Sequence, residues 1–115
     1  MKILIALAVA CVHMAASPPV EGLLDNAAAD FKAHGPQVAD ARAVRAGALT
    51  EDGKPIVCGQ VLPAGEGKDW VDFSTVKTSG YEQALGWQAT ALCAKARLEV
   101  DKDLTPALKM KLGLK

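Results

Sequence analysis

The chain has 115 residues with 13 basic and 13 acidic side chains, and half of it is hydrophobic while only 4% is aromatic. That length suits one small domain. Charges of both signs are interspersed with no net excess, which argues against a nucleic-acid or anionic-membrane surface and reads as an ordinary solvated exterior.

At the N-terminus, Lys2 supplies a positive start, Ile3 to Val12 an apolar run, and Ala15-Ala16-Ser17 a small-residue end. This is the layout of a secretory signal peptide. The run falls short of the roughly 20 apolar residues that span a membrane, and its brevity suits a bacterial leader. Residues 1–16 are therefore read as a signal peptide and 17–115 as a single small domain, periplasmic or secreted, with 104–115 as its tail. Cys11 offers a second reading. Ala8-Val9-Ala10-Cys11 resembles a lipobox, although leucine stands at Leu7 instead of three residues before the cysteine. Lipidation there anchors the chain to a membrane.

Val20 to Lys32 is predicted helical. Leu23, Leu24, Ala27, Ala28 and Phe31 recur at helical spacing, with Glu21 early and Lys32 late, as the macrodipole favours. His34-Gly35-Pro36 stops the helix, with His34 set against its terminal carbonyls. Pro36 to Ala41 is expected to add a short turn of helix. Arg42 to Leu49 then alternates as a strand, and Thr50-Glu51-Asp52-Gly53-Lys54 carries the Asp-Gly hairpin signal. A second strand is predicted over Pro55 to Leu62, a flexible loop over Pro63 to Lys68, and a third strand over Asp69 to Lys77. In that third strand Val71 and Phe73 face one way, while Asp72 and Ser74 face the other together with Trp70. Three strands on short links form an antiparallel meander.

After the break at Thr78-Ser79-Gly80, Tyr81 to Leu98 is predicted as the main helix, with Leu85, Ala89, Leu92 and Ala96 on one face. Gly86 weakens it by about 1 kcal/mol relative to alanine. Asp101-Lys102-Asp103 is a turn, and Thr105-Pro106 opens a short terminal helix. There Leu104, Leu108 and Leu112 cover the domain's own core, beside the basic Lys109, Lys111 and Lys115. The alternative is a basic tail docked on a partner or membrane. The expected core rests on Leu23, Leu24, Phe31, Val44, Ile56, Val61, Phe73, Leu85, Trp87 and Leu92. Trp70 and Tyr81, also apolar enough for a core, are the candidate binding contacts.

Removal of the leader leaves two cysteines, Cys58 and Cys93, and hence one intramolecular pairing. Cys93 falls on the inward side of the predicted helix, so the bridge pins helix to sheet. The chain-entropy model gives such a bridge about 3–4 kcal/mol of stabilisation, which a small exported core needs. No Cys-x-x-Cys pair is present for redox chemistry.

Other chemistries are poorly supplied. One remaining histidine, His34, and a bridged cysteine pair fall short of a zinc site. Ser74, Thr75 and Ser79 have no motif pairing them with a base. Gly65-Glu66-Gly67-Lys68 lacks the spacing of a phosphate loop and reads as a hairpin connection. Glu66, Asp69 and Asp72 are either a carboxylate cluster for Ca²⁺ or hydrolysis, or a solvated acidic loop. No cofactor or metal is expected.

Val57-Cys58-Gly59-Gln60-Val61, preceded by Gly53-Lys54-Pro55 and by the arginine-bearing Ala41 to Arg45, resembles a family of small uncharacterised secreted bacterial proteins with a Cys-Gly-Glu-Val strand. Trp87 and Cys93 echo its C-terminal part, while Leu62-Pro63-Ala64-Gly65 departs from its pattern. The resemblance implies export and a strand-to-helix disulfide, and no activity. The sequence thus leads to a small α+β domain: an N-terminal helix, a three-stranded antiparallel meander, a C-terminal helix and one disulfide. The expected role is a non-enzymatic binding or accessory module for an envelope or extracellular protein. It acts through the meander face and the Trp70 loop. A lipoprotein tethered through Cys11 and a small carboxylate-dependent hydrolase are the alternatives.

Overall fold

The computed structural model describes residues 18–114. The segment read as a signal peptide, with Cys11, lies outside these residues. The first helix, α1, runs Pro18–His34. It buries Leu23, Leu24, Ala27, Ala28 and Phe31, as the helical spacing predicts. Gly35, with φ of 78°, ends it in the left-handed region, its N–H bonding to the Phe31 carbonyl. The His34 ring meets Asp30 one turn back, with Nδ1 3.2 Å from Oδ1, instead of the terminal carbonyls.

Five antiparallel strands follow: β1 (Val38–Leu49), β2 (Pro55–Pro63), β3 (Val71–Lys77), β4 (Tyr81–Leu85) and β5 (Ala96–Leu98), in the spatial order β4-β3-β2-β1-β5. The meander of β1, β2 and β3 stands within this larger sheet. At the Asp-Gly hairpin, Gly53 has φ of 76° and the Leu49 N–H bonds to the Lys54 carbonyl.

Two expectations give way. The turn of helix over 36–41 is instead the start of β1, because Val38, Asp40 and Ala41 pair with Pro63, Leu62 and Val61 of β2. The single helix over 81–98 is three elements: β4, a short helix α2 (Trp87–Ala94), and β5. Gly86, with φ of 77°, breaks the run. On one side of it Tyr81 to Leu85 completes a hairpin with β3, and on the other Ala96 to Leu98 returns to pair with Gly47 to Leu49. Helix propensity differs by only tenths of a kcal/mol per residue, so a vacant sheet edge readily overrides it.

The last helix, α3 (Thr105–Leu112), docks on the α1 side of the sheet with Leu108 fully buried. Lys111 bridges to Asp25 at 2.6 Å and Glu21 at 3.5 Å on α1, and Lys109 reaches Asp40 at 3.0 Å on β1. A β-bulge receives this segment. Ala43 adopts φ of 56° where the β1 register shifts between Arg42 and Arg45. That frees the polar groups of Val44, whose N–H donates to Thr105 Oγ1 and whose carbonyl accepts from the Leu104 N–H. At Val44 the bulge thus exchanges sheet bonds for bonds to Leu104 and Thr105 at the start of α3. Gly47 is needed nearby, since a Cβ there would lie 1.9 Å from the Arg97 carbonyl oxygen on β5.

The helices divide the core in two. On one face α1 and α3 close over Val44, Val57, Val61 and Phe73. On the other, α2 and β5 cover Ile56, Cys58 and Val76, with Leu49, Leu92, Cys93 and Leu98 packed at the margin. The Cys58–Cys93 disulfide joins α2 to β2 across 35 residues, with Cα atoms 6.1 Å apart. A structural disulfide belongs to an oxidising compartment outside the cytoplasm. Among the described residues no helix is long and apolar enough to cross a membrane.

Ser74 lies fully buried between strand neighbours Cys58 and Ala84, and its hydroxyl has no hydrogen-bond partner. An unpaired buried hydroxyl is a net cost. Ser74→Ala is therefore expected to leave stability unchanged or raise it by about 1 kcal/mol. Urea unfolding tests this, and a drop beyond about 1 kcal/mol would reveal a bond that the geometry lacks.

Candidate functional site

The α1 face is closed by two helices. The opposite face carries only the eight-residue α2, so it is where sheet side chains remain open to solvent. Along one flank of α2 a polar row crosses three strands in register: Arg42 on β1, Gln60 on β2 and Asp72 on β3. Arg42 Nε donates to Gln60 Oε1 at 2.8 Å, Gln60 Nε2 donates to Asp72 Oδ1 at 2.9 Å, and the Thr90 hydroxyl of α2 donates to Asp72 Oδ2. The Arg42 guanidinium lies 4.0 Å from the centroid of the Trp70 ring, a cation–π stack worth about 0.5–1 kcal/mol at an exposed site. Gln60 separates the opposite charges of Arg42 and Asp72 and bonds to both. A shallow groove of about 340 Å³ runs alongside, walled by Gln60, Asp72, Thr90 and the disulfide.

Bonds from Thr90 and then Gln60 hold the Asp72 carboxyl below the ordinary aspartate value of 3.8, against an opposing effect of burial. A depressed folded-state value makes the ionised form a stabiliser. Its contribution is complete above the unfolded value and disappears as pH falls through the folded one. The loss of stability between pH 7 and pH 3 is accordingly expected to be smaller in Asp72→Asn than in the parent protein. Urea midpoints at the two pH values measure it, and equal losses would remove Asp72 from the acid response.

Trp70 and Tyr81 both have partners within the chain. Trp70 is half-buried under Arg42. Tyr81 is 39% exposed, with Lys77 Nζ 5.1 Å from its ring centroid. Its hydroxyl lies over Gly22 of α1, where a Cβ would approach it to 2.5 Å. Tyr81 thereby fastens the edge strand to the helix. Asp69 accepts its neighbour's backbone N–H from Trp70, and Glu66 is exposed on the β2–β3 loop. Among the described residues no three histidine, cysteine, aspartate or glutamate side chains gather as a set able to hold a metal ion.

The other flank of α2 is different. Trp87, expected in the core, is 77% exposed. It is the first residue of α2, immediately after left-handed Gly86, and α2 has no side-chain cap at that end. Trp87 also stands about 200° round a helix from Leu85, opposite the predicted stripe of Leu85, Ala89, Leu92 and Ala96, so a continuous helix over 81–98 would have exposed it as well. Gly86 was the legible signal of the break itself, since an isolated glycine in an apparently helical run marks a break. Beside Trp87 a cleft of about 540 Å³ runs between α2 and the β1–β2 hairpin. Its floor includes Leu49, Val76 and Leu92, the open margin of the second core cluster. Glu51, Asp52, Glu82 and Lys54 stand at its rim.

No family model, curated protein or solved structure matches the chain.

Proposed function

We propose that this is an exported, non-enzymatic binding or accessory module of the bacterial envelope or exterior. It presents the disulfide-bearing face of its sheet to an envelope or extracellular protein. The observation that carries the reading is Trp87. A tryptophan 77% exposed beside an apolar-floored cleft is costly to leave in water and is the side chain most enriched at binding hot spots. The disulfide beneath supports the reading in two ways, by favouring an oxidising compartment and by holding α2 rigid, which lowers the entropy cost of binding. The secretory layout of residues 1–16 and the likeness of Val57 to Val61 to small secreted proteins point to the same compartment. Trp70, bound to Arg42, is the rigid border of this face and not its anchor.

A photo-crosslinking amino acid at position 87, introduced in the native host, is expected to trap a discrete partner, whereas the same group at Tyr81 traps much less. Equal or absent trapping at the two positions would sink the reading. Intact-mass measurement of the host protein separates soluble export from lipidation. A soluble species starting near Ala16 or Ser17, its thiols labelled only after reduction, is expected. A membrane species starting at Cys11 with added acyl mass would make it a lipoprotein.

A further inference from the structure

We infer that the cleft beside Trp87 receives a short cationic, amphipathic peptide segment of the partner protein, an inference that rests on the binding-module reading. Charge complementarity selects the sign of the occupant. Glu51, Asp52 and Glu82 face the cleft, and the single cation among them, Lys54, is already paired with Asp52 at 3.4 Å. Two negative charges are left over an apolar floor of Leu49, Val76 and Leu92. A basic side chain flanked by aliphatic ones satisfies both rim and floor, while an anion meets repulsion.

The dimensions select a chain segment over a compact small molecule. The lining passes from the β1–β2 hairpin across Val76 on β3 to Glu82 on β4, and Ile56, Val76 and Glu82 form one cross-strand row. Two inter-strand spacings of about 4.8 Å make a trough of about 10 Å, the length of roughly three extended residues. Trp87 at the end of that trough supplies a rigid aromatic wall on which a lysine or arginine stem can lie.

The test uses the oxidised full chain and two fluorescently labelled peptides, one of alternating lysine and leucine and one of alternating glutamate and leucine, read by anisotropy. Saturable binding of the lysine peptide and none of the glutamate peptide is expected. Trp87→Ala and the pair Glu51→Lys with Glu82→Lys should each weaken binding at least about tenfold, a change of about 1.4 kcal/mol. All three substituted residues are exposed, so unfolding midpoints should stay at the parent value and loss of fold cannot mimic loss of binding. Equal affinity for the two peptides, or indifference to these substitutions, overturns the inference. If neither peptide binds up to about 1 mM while position 87 still traps a partner in the host, the cationic-segment inference falls and the binding module survives. If both experiments are blank, both readings fall.

Discussion

Replacing Cys58 and Cys93 together with alanine is expected to lower the unfolding free energy by about 4 kcal/mol, the chain-entropy value for a loop of this size. The loop spans 35 residues, and holds the β2–β3–β4 meander and α2. For a domain of this length the change corresponds to a fall in Tm of roughly 15 °C or more. The size of the effect follows from what the bridge replaces. The apolar core beneath α2 has Ile56, Cys58 and Val76 as its buried members, beside the buried Ser74, with half-exposed side chains around them. The only buried residue of α2 itself is Ala89, which contributes little apolar area. A helix of eight residues has no independent stability in water. Without the bridge α2 should therefore detach before the rest unfolds, exposing Ser74 and Val76. Thermal unfolding of the double variant, with hydrogen exchange at 87–94, measures both effects. An unchanged Tm would mean that α2 is held by contacts other than the disulfide.

Phe73→Ala is expected to cost about 3–5 kcal/mol, as for a fully buried aromatic whose site cannot collapse. Phe73 is the largest fully buried side chain and meets Phe31 of α1 edge-on, with centroids 5.6 Å apart and rings at 76°. Its cross-strand partner on β2 is Gly59, where a Cβ would stand 2.8 Å from Phe73 Cε1 and 3.2 Å from Val44 Cα. The phenylalanine covers the surface that the glycine leaves bare, and the bulged strand presses Val44 against the same spot. The smaller reverse change, Gly59→Ala, overpacks this contact and should cost about 1–3 kcal/mol. Urea unfolding of the two single variants and their combination gives the coupling between them. A combined cost equal to the sum of the single costs would show that the two positions do not share a site.

Some of this architecture was legible locally. The apolar spacing of Leu23 to Phe31 marked α1, Asp52-Gly53 marked the hairpin, and the β-branched run around Ile56 and Val57 marked β2. Leu108 marked the buried side of the tail. The pairing of Cys58 with Cys93 needed only a count of the cysteines outside the segment read as a leader. Each of these is a signal carried by a few neighbouring residues, or by simple arithmetic.

Residues 81–98 were not legible in this way. Tyr81-Glu82-Gln83-Ala84-Leu85 has a composition that suits a helix, yet it pairs with β3 from Lys77 to Phe73. Ala96-Arg97-Leu98 reaches back past the whole meander to β1. The cleft beside Trp87 follows from that rearrangement. The row Arg42, Gln60 and Asp72 is equally invisible in the chain, because the residues meet only through strand register.

The sequence by itself determined a small α+β chain with a single cysteine pair in its domain and a first helix and hairpin in their places. The tertiary structure decided which sheet edges were filled, where the bulge at Ala43 handed Val44 to the last helix, and where the cleft beside Trp87 opens. The reason is one of magnitude. Local preferences differ by tenths of a kcal/mol per residue, whereas completing a strand pair and burying its side chains is worth about a kcal/mol or more per residue, so long-range pairing wins wherever local signals are weak.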